Sequence, residues 1–148
     1  MKIIIDADAC PKSVREICLE KAEKYKIEVV MVIDDAHKLE GNFTTIVVGK
    51  DNDAADHKIV EVFSAEDILI TQDYGLASIL IDKAFGIINP SGFLYTQWNI
   101  DTLMYQRHIN AKERSQGKRT KGPKKRVLNQ DIEFSKVLVE LLNKKFSI

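Results

Sequence analysis

The chain has 148 residues, 45% of them hydrophobic and 30% charged, with 22 Lys/Arg balancing 22 Asp/Glu. That length suits one domain, residues 1–148, with a real core, and the composition excludes a disordered, collagen-like or coiled-coil chain. No apolar run reaches membrane-spanning length, and Asp6 and Asp8 interrupt any secretory leader, so the expected setting is the cytoplasm, away from membranes.

Lys2-Ile3-Ile4-Ile5-Asp6 reads as a strand buried on both faces, ending in an acid. Pro11 then suits the first turn of a helix over 11–25, where Val14, Ile17, Cys18, Ala22 and Tyr25 recur at helical spacing. Ile27 to Ile33 is a second buried strand, and Asp34 to Lys38 opens a polar connection. Thr44 to Val48 is a third strand. Asp51-Asn52-Asp53 then caps a helix running to about Phe63, with Asp53 and its neighbours accepting from free N–H groups at the helix start. Asp67 to Thr71 is a fourth strand, Gln72 to Gly75 a turn, and Leu76 to Phe85 a helix with Gly86 as its stop signal.

Gly86 to Ile88 is a short fifth strand, followed by a turn at Asn89 to Gly92. A helix from Asp101 to about Arg114 leads into a basic helix end and loop spanning 107–128. Asn129 or Asp131 caps a last helix over 129–146, with Phe134, Val137, Leu138, Leu141 and Leu142 as its apolar stripe. There are no internal repeats. Strands alternating with helices predict an α/β protein: a three-layer α/β/α sandwich around a mostly parallel five-stranded sheet, with two C-terminal helices packed beside it.

Ligands of such sheets bind at the carboxyl ends of the strands. Asp6 and Asp8 follow strand one, Asp53 and Asp56 open the helix after strand three, and Asp73 follows strand four, so all five fall on that edge. Chain-distant carboxylates converging there suit a hard divalent cation, Mg²⁺ or Mn²⁺. Each acid also has a local alternative: Asp53 as an N-cap, Asp73 as a turn residue, Asp8 as a cap before the helix entered at Pro11. Asp6, directly ending Ile3-Ile4-Ile5, has no capping job. Thr71 can offer its hydroxyl to substrate or to a carboxylate. His37, His57 and His108 lack zinc-ligand spacing, although His57 stands beside Asp56, and Cys10 and Cys18 read as free thiols. There is no Gly-rich phosphate loop, GxSxG or GxGxxG.

The net charge of zero hides an asymmetry. Residues 1–106 hold ten Lys/Arg against 18 Asp/Glu, a net −8, whereas residues 107–126 hold nine against one, a net +8. Arg107, Arg114, Lys118, Arg119, Lys121, Lys124, Lys125 and Arg126 are therefore candidates to grip a phosphate backbone. Folding back onto the acidic edge of the same domain, or of a neighbouring subunit, is the alternative for this segment.

Asp6-Ala7-Asp8-Ala9-Cys10-Pro11, Asp53-Ala54-Ala55-Asp56 with Ile59, Thr71-Gln72-Asp73 with Leu76-Ala77, and Gly117 with Gly122-Pro123 in the basic stretch resemble the YaiI/YqxD family of functionally uncharacterised bacterial proteins. That family is grouped with the PIN-like nucleases. The resemblance implies an α/β/α fold and an acid cluster holding Mg²⁺ or Mn²⁺ for phosphodiester hydrolysis, on RNA more than DNA. Asp6 matches the acid ending the first strand, Asp53 or Asp56 the acid on the middle helix, where PIN nucleases commonly have Glu, and Asp73 the acid after the fourth strand. The implied metal ligands are Asp6, Asp53, Asp56 and Asp73, with Asp8 as a further ligand or an orienting residue.

The same residues admit two other readings. Ile-Ile-Ile-Asp-Ala-Asp also resembles the haloacid-dehalogenase phosphatases, with Asp6 as nucleophile and Asp8 as general acid/base. Alternatively, the chain is a non-catalytic RNA-binding module.

Overall fold

The computed structural model describes residues 1–34, 39–51, 53–117 and 127–147. β1 (Lys2–Asp6) is the sheet's central strand. Its β-branched Ile3, Ile4 and Ile5 are all 0% exposed, because neighbouring strands flank β1 and helical layers cover both its faces. α1 (Lys12–Tyr25) follows after a 3₁₀ turn at Ala7–Ala9. Pro11 stands just before the first helical residue. β2 (Glu28–Asp34), β3 (Thr44–Val48) and α2 (Ala54–Val62) come next, then β4 (Ile68–Ile70), α3 (Tyr74–Leu80) and β5 (Gly86–Ile88). α4 (Gln97–Ser115) and α5 (Leu128–Phe146) end the chain.

The strand order is β3-β2-β1-β4-β5, with every pairing parallel. The chain therefore builds outward from β1 to β3, then returns to the other side of β1 to lay down β4 and β5. This reversal opens a crevice between the carboxyl ends of β1 and β4, where ligands of such sheets bind.

Side-chain alternation along the strands divides the core into two layers. Ile3, Ile5, Met31, Ile68 and Ile70 pack with Val14 and Cys18 of α1 and with Phe134, Leu138 and Leu142 of α5. Ile4, Val30, Val32 and Leu69 pack on the other face with Ile59 of α2, Leu76 and Leu80 of α3, and Ile100 of α4. The α/β/α sandwich expected from sequence is thus observed. The two C-terminal helices take opposite faces, α5 against α1 and α4 against α3.

Several boundaries differ from the sequence reading, for local hydrogen-bonding reasons. α3 begins at Tyr74 because the Asp73 side chain caps it, accepting from the Leu76 N–H at 3.2 Å. It stops at Leu80, well before Phe85, because the Phe85 N–H is drawn to the Asp67 carbonyl at 2.9 Å. Gly86 is part of β5 rather than a stop signal. A Cβ there would lie 2.5 Å from Leu141 Cδ1, so glycine lets α5 pack directly on the strand. α4 starts at Gln97, four residues before Asp101, because Thr96 and Asn99 cap it reciprocally. Neither Asn129 nor Asp131 caps α5: the helix starts at Leu128, and Gln130 Oε1 accepts from the Val127 N–H at 3.1 Å. Asp131 instead accepts from the Ser13 hydroxyl at 2.8 Å, joining α5 to the start of α1.

At the opposite end of β1 and β4, Asp67 is 2% exposed. Its carboxylate accepts from Lys2 Nζ at 2.6 Å, the Lys2 N–H at 3.0 Å and the Ser64 N–H at 2.8 Å. Cys10 and Cys18 are buried free thiols, and desolvation drives the Cys18 thiol well above its usual range. Among the described residues no helix is long and apolar enough to cross a membrane.

Candidate active site

Ile5 of β1 pairs with Ile70 of β4, so the next residues, Asp6 and Thr71, leave the sheet side by side at the crevice. Thr71 is 0% exposed and organises this point. Its hydroxyl donates to Asp6 Oδ2 at 3.0 Å and accepts from the Asp73 N–H at 3.0 Å. Tyr95 Oη in turn donates to the Thr71 carbonyl at 3.1 Å, and Asn89 Nδ2 donates to Tyr95 Oη at 2.9 Å. A buried chain of polar groups from the β5 edge therefore positions the threonine that holds Asp6. Burial pushes the Tyr95 hydroxyl far above its usual range, so it stays a proton donor.

Asp56, in the first turn of α2, completes the group by sharing a hydrogen bond with Asp73. Burial, that hydrogen bond, and the charges of Asp73, Asp6 and Asp53 push the Asp56 carboxyl up to about 6. Burial is also the main cause raising Asp6, with Asp73 and Asp8 adding to it and the Thr71 hydrogen bond opposing it. Carboxylates crowded at one strand edge hold a proton more readily than they would in water.

Asp53 stands at the N-cap of α2 without capping it: its side chain makes no cap hydrogen bond and its backbone is left-handed, at φ +66°. This corrects the expectation that Asp53 accepts from the helix start. Aspartate tolerates that conformation better than most residues, but the conformation is still a strained one. Asp8 also differs from the capping alternative. Its Oδ2 accepts from the Asp34 N–H at 2.8 Å, tying the turn after β1 to the end of β2. Among the described residues, no three His, Cys, Asp or Glu side chains stand together in a group that could hold a metal ion as placed. The carboxylates are engaged instead by Thr71, the Leu76 N–H, the Asp34 N–H and one another.

Arg107 and Arg114 sit two turns apart on the same face of α4. With Tyr74, Leu103, Gln106 and Asn110 they line a cleft of ≈ 160 Å³. A Cβ on Gly75 would lie 3.2 Å from Asp73 Oδ1 and 3.8 Å from Arg107 Nη1, so the guanidinium borders the acid cluster. His57 and His108 are exposed. Lys118, Arg119, Lys121, Lys124, Lys125 and Arg126 lie outside the described residues, as do His37 and Asn52. Tyr95 and Asn89 escaped sequence reasoning. Asn89-Pro90 signals only a turn, and nothing in the local pattern points from there to Thr71.

The raised carboxyls make stability pH-dependent in a defined direction. A carboxyl at about 6 in the folded protein and near 4 when unfolded binds more protons folded across that interval. The melting temperature in chelating buffer is therefore expected to fall as pH rises from about 4 to about 6. Asp56→Asn should flatten that part of the profile. A profile unchanged by the substitution would show that Asp56 does not titrate there.

The fold and the cluster define a parallel α/β protein with an acidic crevice at its strand-order switch. The chain belongs to the family described as "Uncharacterized BCR, YaiI/YqxD family", whose pattern matches residues 4–144. It is 39% identical over 148 residues to a UPF0178 protein of Oceanobacillus iheyensis, covering 97% of this chain and 100% of that one. It is 39% identical over 140 residues to a UPF0178 protein of Ruminiclostridium cellulolyticum, covering 94% and 90%. An Exiguobacterium sibiricum relative, also a UPF0178 protein, is 40% identical over 146 residues, covering 98% and 99%. No solved structure matches the chain.

Proposed function

We propose that this protein is a PIN-like, cytoplasmic nuclease that hydrolyses phosphodiester bonds with Mg²⁺ or Mn²⁺, on RNA in preference to DNA. The observation that carries this reading is the convergence of Asp6, Asp56 and Asp73, from three separate stretches, on the crevice between β1 and β4. The donor chemistry fits: the group is all carboxylate oxygen, and burial first, then the charges of the neighbouring aspartates, raise Asp6 and Asp56. Asp6, Asp53, Asp56 and Asp73 would hold the cation, which when bound supplies an activated water and neutralises charge on the phosphate. Thr71 orients Asp6. Arg107 and Arg114 would take the phosphate next along the strand, and Asp8 keeps the turn after β1 in place.

Cleavage of a labelled single-stranded RNA in Mn²⁺, abolished by chelation, is the expected result. Chelation-resistant binding with no cleavage would leave a non-catalytic RNA-binding module. An aspartyl-phosphate analogue trapped at Asp6 by beryllium fluoride would favour the phosphatase.

The basic segment is the proposed backbone grip. With Lys118, Arg119, Lys121, Lys124, Lys125 and Arg126 on phosphates of one strand, log K should fall against log[salt] with a slope of about −4. Neutralising Lys124, Lys125 and Arg126 together should flatten that slope by about 2. An unchanged slope and affinity would remove the segment from the binding surface.

A further inference from the structure

A second cleft, of ≈ 290 Å³, shares Tyr74 with the arginine cleft. Its polar lining is mostly side-chain amide: Gln72, Asn89 and Gln130, joined by Ser91. Pro11 and the rings of Tyr74 and Phe93 complete the lining. Both rings lean edge-on against Tyr95, at centroid distances of 6.4 and 5.1 Å, which holds them in place.

We propose that this cleft is a nucleobase pocket, which seats the base next to the bond that the acid cluster acts on. The inference rests on the nuclease reading for its second half only. Three observations point to it. First, the amides have hydrogen-bonding capacity left over. Gln72 uses Nε2 on the Ala9 carbonyl at 2.9 Å, and Gln130 uses Oε1 on the Val127 N–H. Among the described residues, Gln72 Oε1 and Gln130 Nε2 have no partner, leaving both an acceptor atom and a donor atom unused; the edges of all four bases present such groups. Second, aromatic faces beside amides are the pairing that single-stranded bases need once unstacked. Third, position: Gln72 and Tyr74 bracket Asp73 in the chain, and Tyr74 lines this cleft and the Arg107–Arg114 cleft alike. A strand crossing Tyr74 would place a base in one cleft, a phosphodiester near Asp73, and the next phosphate by the arginines. The volume, at the low end for small-molecule sites, suits a nucleoside.

The test needs neither metal nor cleavage, so its failure is separate from that of the nuclease reading. Metal-free protein is titrated with uridine, adenosine and free ribose while the side-chain amide NMR signals of Gln72, Asn89 and Gln130 are followed. Both nucleosides should shift these signals saturably, at least about fivefold more tightly than ribose, since base–aromatic stacking is worth at least that factor. Ser91→Trp, which fills the cleft, should remove the preference, and Asp6→Asn should keep it. Where Ser91→Trp does not fold, Gln72→Ala should weaken nucleoside binding several-fold. Nucleosides binding no better than ribose, shifts confined to the arginine cleft, or a preference unchanged in both cleft variants would overturn the proposal.

Discussion

Asp6→Asn is expected to lower Mn²⁺ affinity and RNA cleavage by at least about 100-fold while leaving the fold intact. Loss of orienting residues around a metal typically costs 10–100-fold, and a direct ligand should cost more. The fold should survive because asparagine keeps the shape of the side chain and its Oδ1 can still accept from the Thr71 hydroxyl, now 3.0 Å from Asp6. Removing the charge also removes a buried carboxylate that Asp73 and Asp8 repel. The metal-free variant should therefore melt no lower than wild type, and its advantage should grow as pH rises and wild-type Asp6 ionises. Calorimetry and thermal melting read the two effects separately. Unchanged Mn²⁺ affinity in a folded Asp6→Asn protein would take Asp6 out of the site.

Asp67→Ala is expected to have the largest effect on stability, at the other end of the same two strands. The carboxylate is 2% exposed and accepts from Lys2 Nζ, the Lys2 N–H and the Ser64 N–H. Alanine would leave two backbone donors and an ammonium without their acceptor. Breaking a buried ion pair from one side costs about 3–5 kcal/mol when the remaining charge is trapped. The Lys2 side chain is 20% exposed, so it can reach water, and about 2–4 kcal/mol is the better expectation. For a chain of this length that lowers the melting temperature by roughly 5–15 °C. RNA cleavage measured well below the transition should be unaffected. A loss under about 1 kcal/mol in chemical denaturation would show that this network is redundant.

The two ends of the sheet were not equally legible in the sequence. The buried strand Ile3-Ile4-Ile5 and the aspartate that ends it declare themselves, because an acid directly after a doubly buried run has no local role. The parallel order follows from alternating strands and helices. Asp73 is visible as a residue after a strand, but its double duty is not: its Oδ1 caps α3 while its carboxylate meets Asp56. Asp53 looks like a helix cap by type and position, yet its left-handed backbone leaves the cap unmade. The long-range polar contacts were out of reach of local patterns. Tyr95 reaches Thr71 across 24 positions, and Asp8 reaches the Asp34 N–H across 26. Only the strand order brings those pairs together, and no periodicity encodes a hydrogen bond between neighbouring strand ends.

The most direct test of the central claim is crystallographic: crystals soaked in Mn²⁺, with data collected to locate the ion by its anomalous scattering. The nuclease reading predicts a peak between β1 and β4, within bonding distance of the Asp6 and Asp73 carboxylates, with Asp56 turned from its hydrogen bond with Asp73 toward the ion. Density for the unaltered carboxylate network and no peak in the crevice at millimolar Mn²⁺ would contradict it.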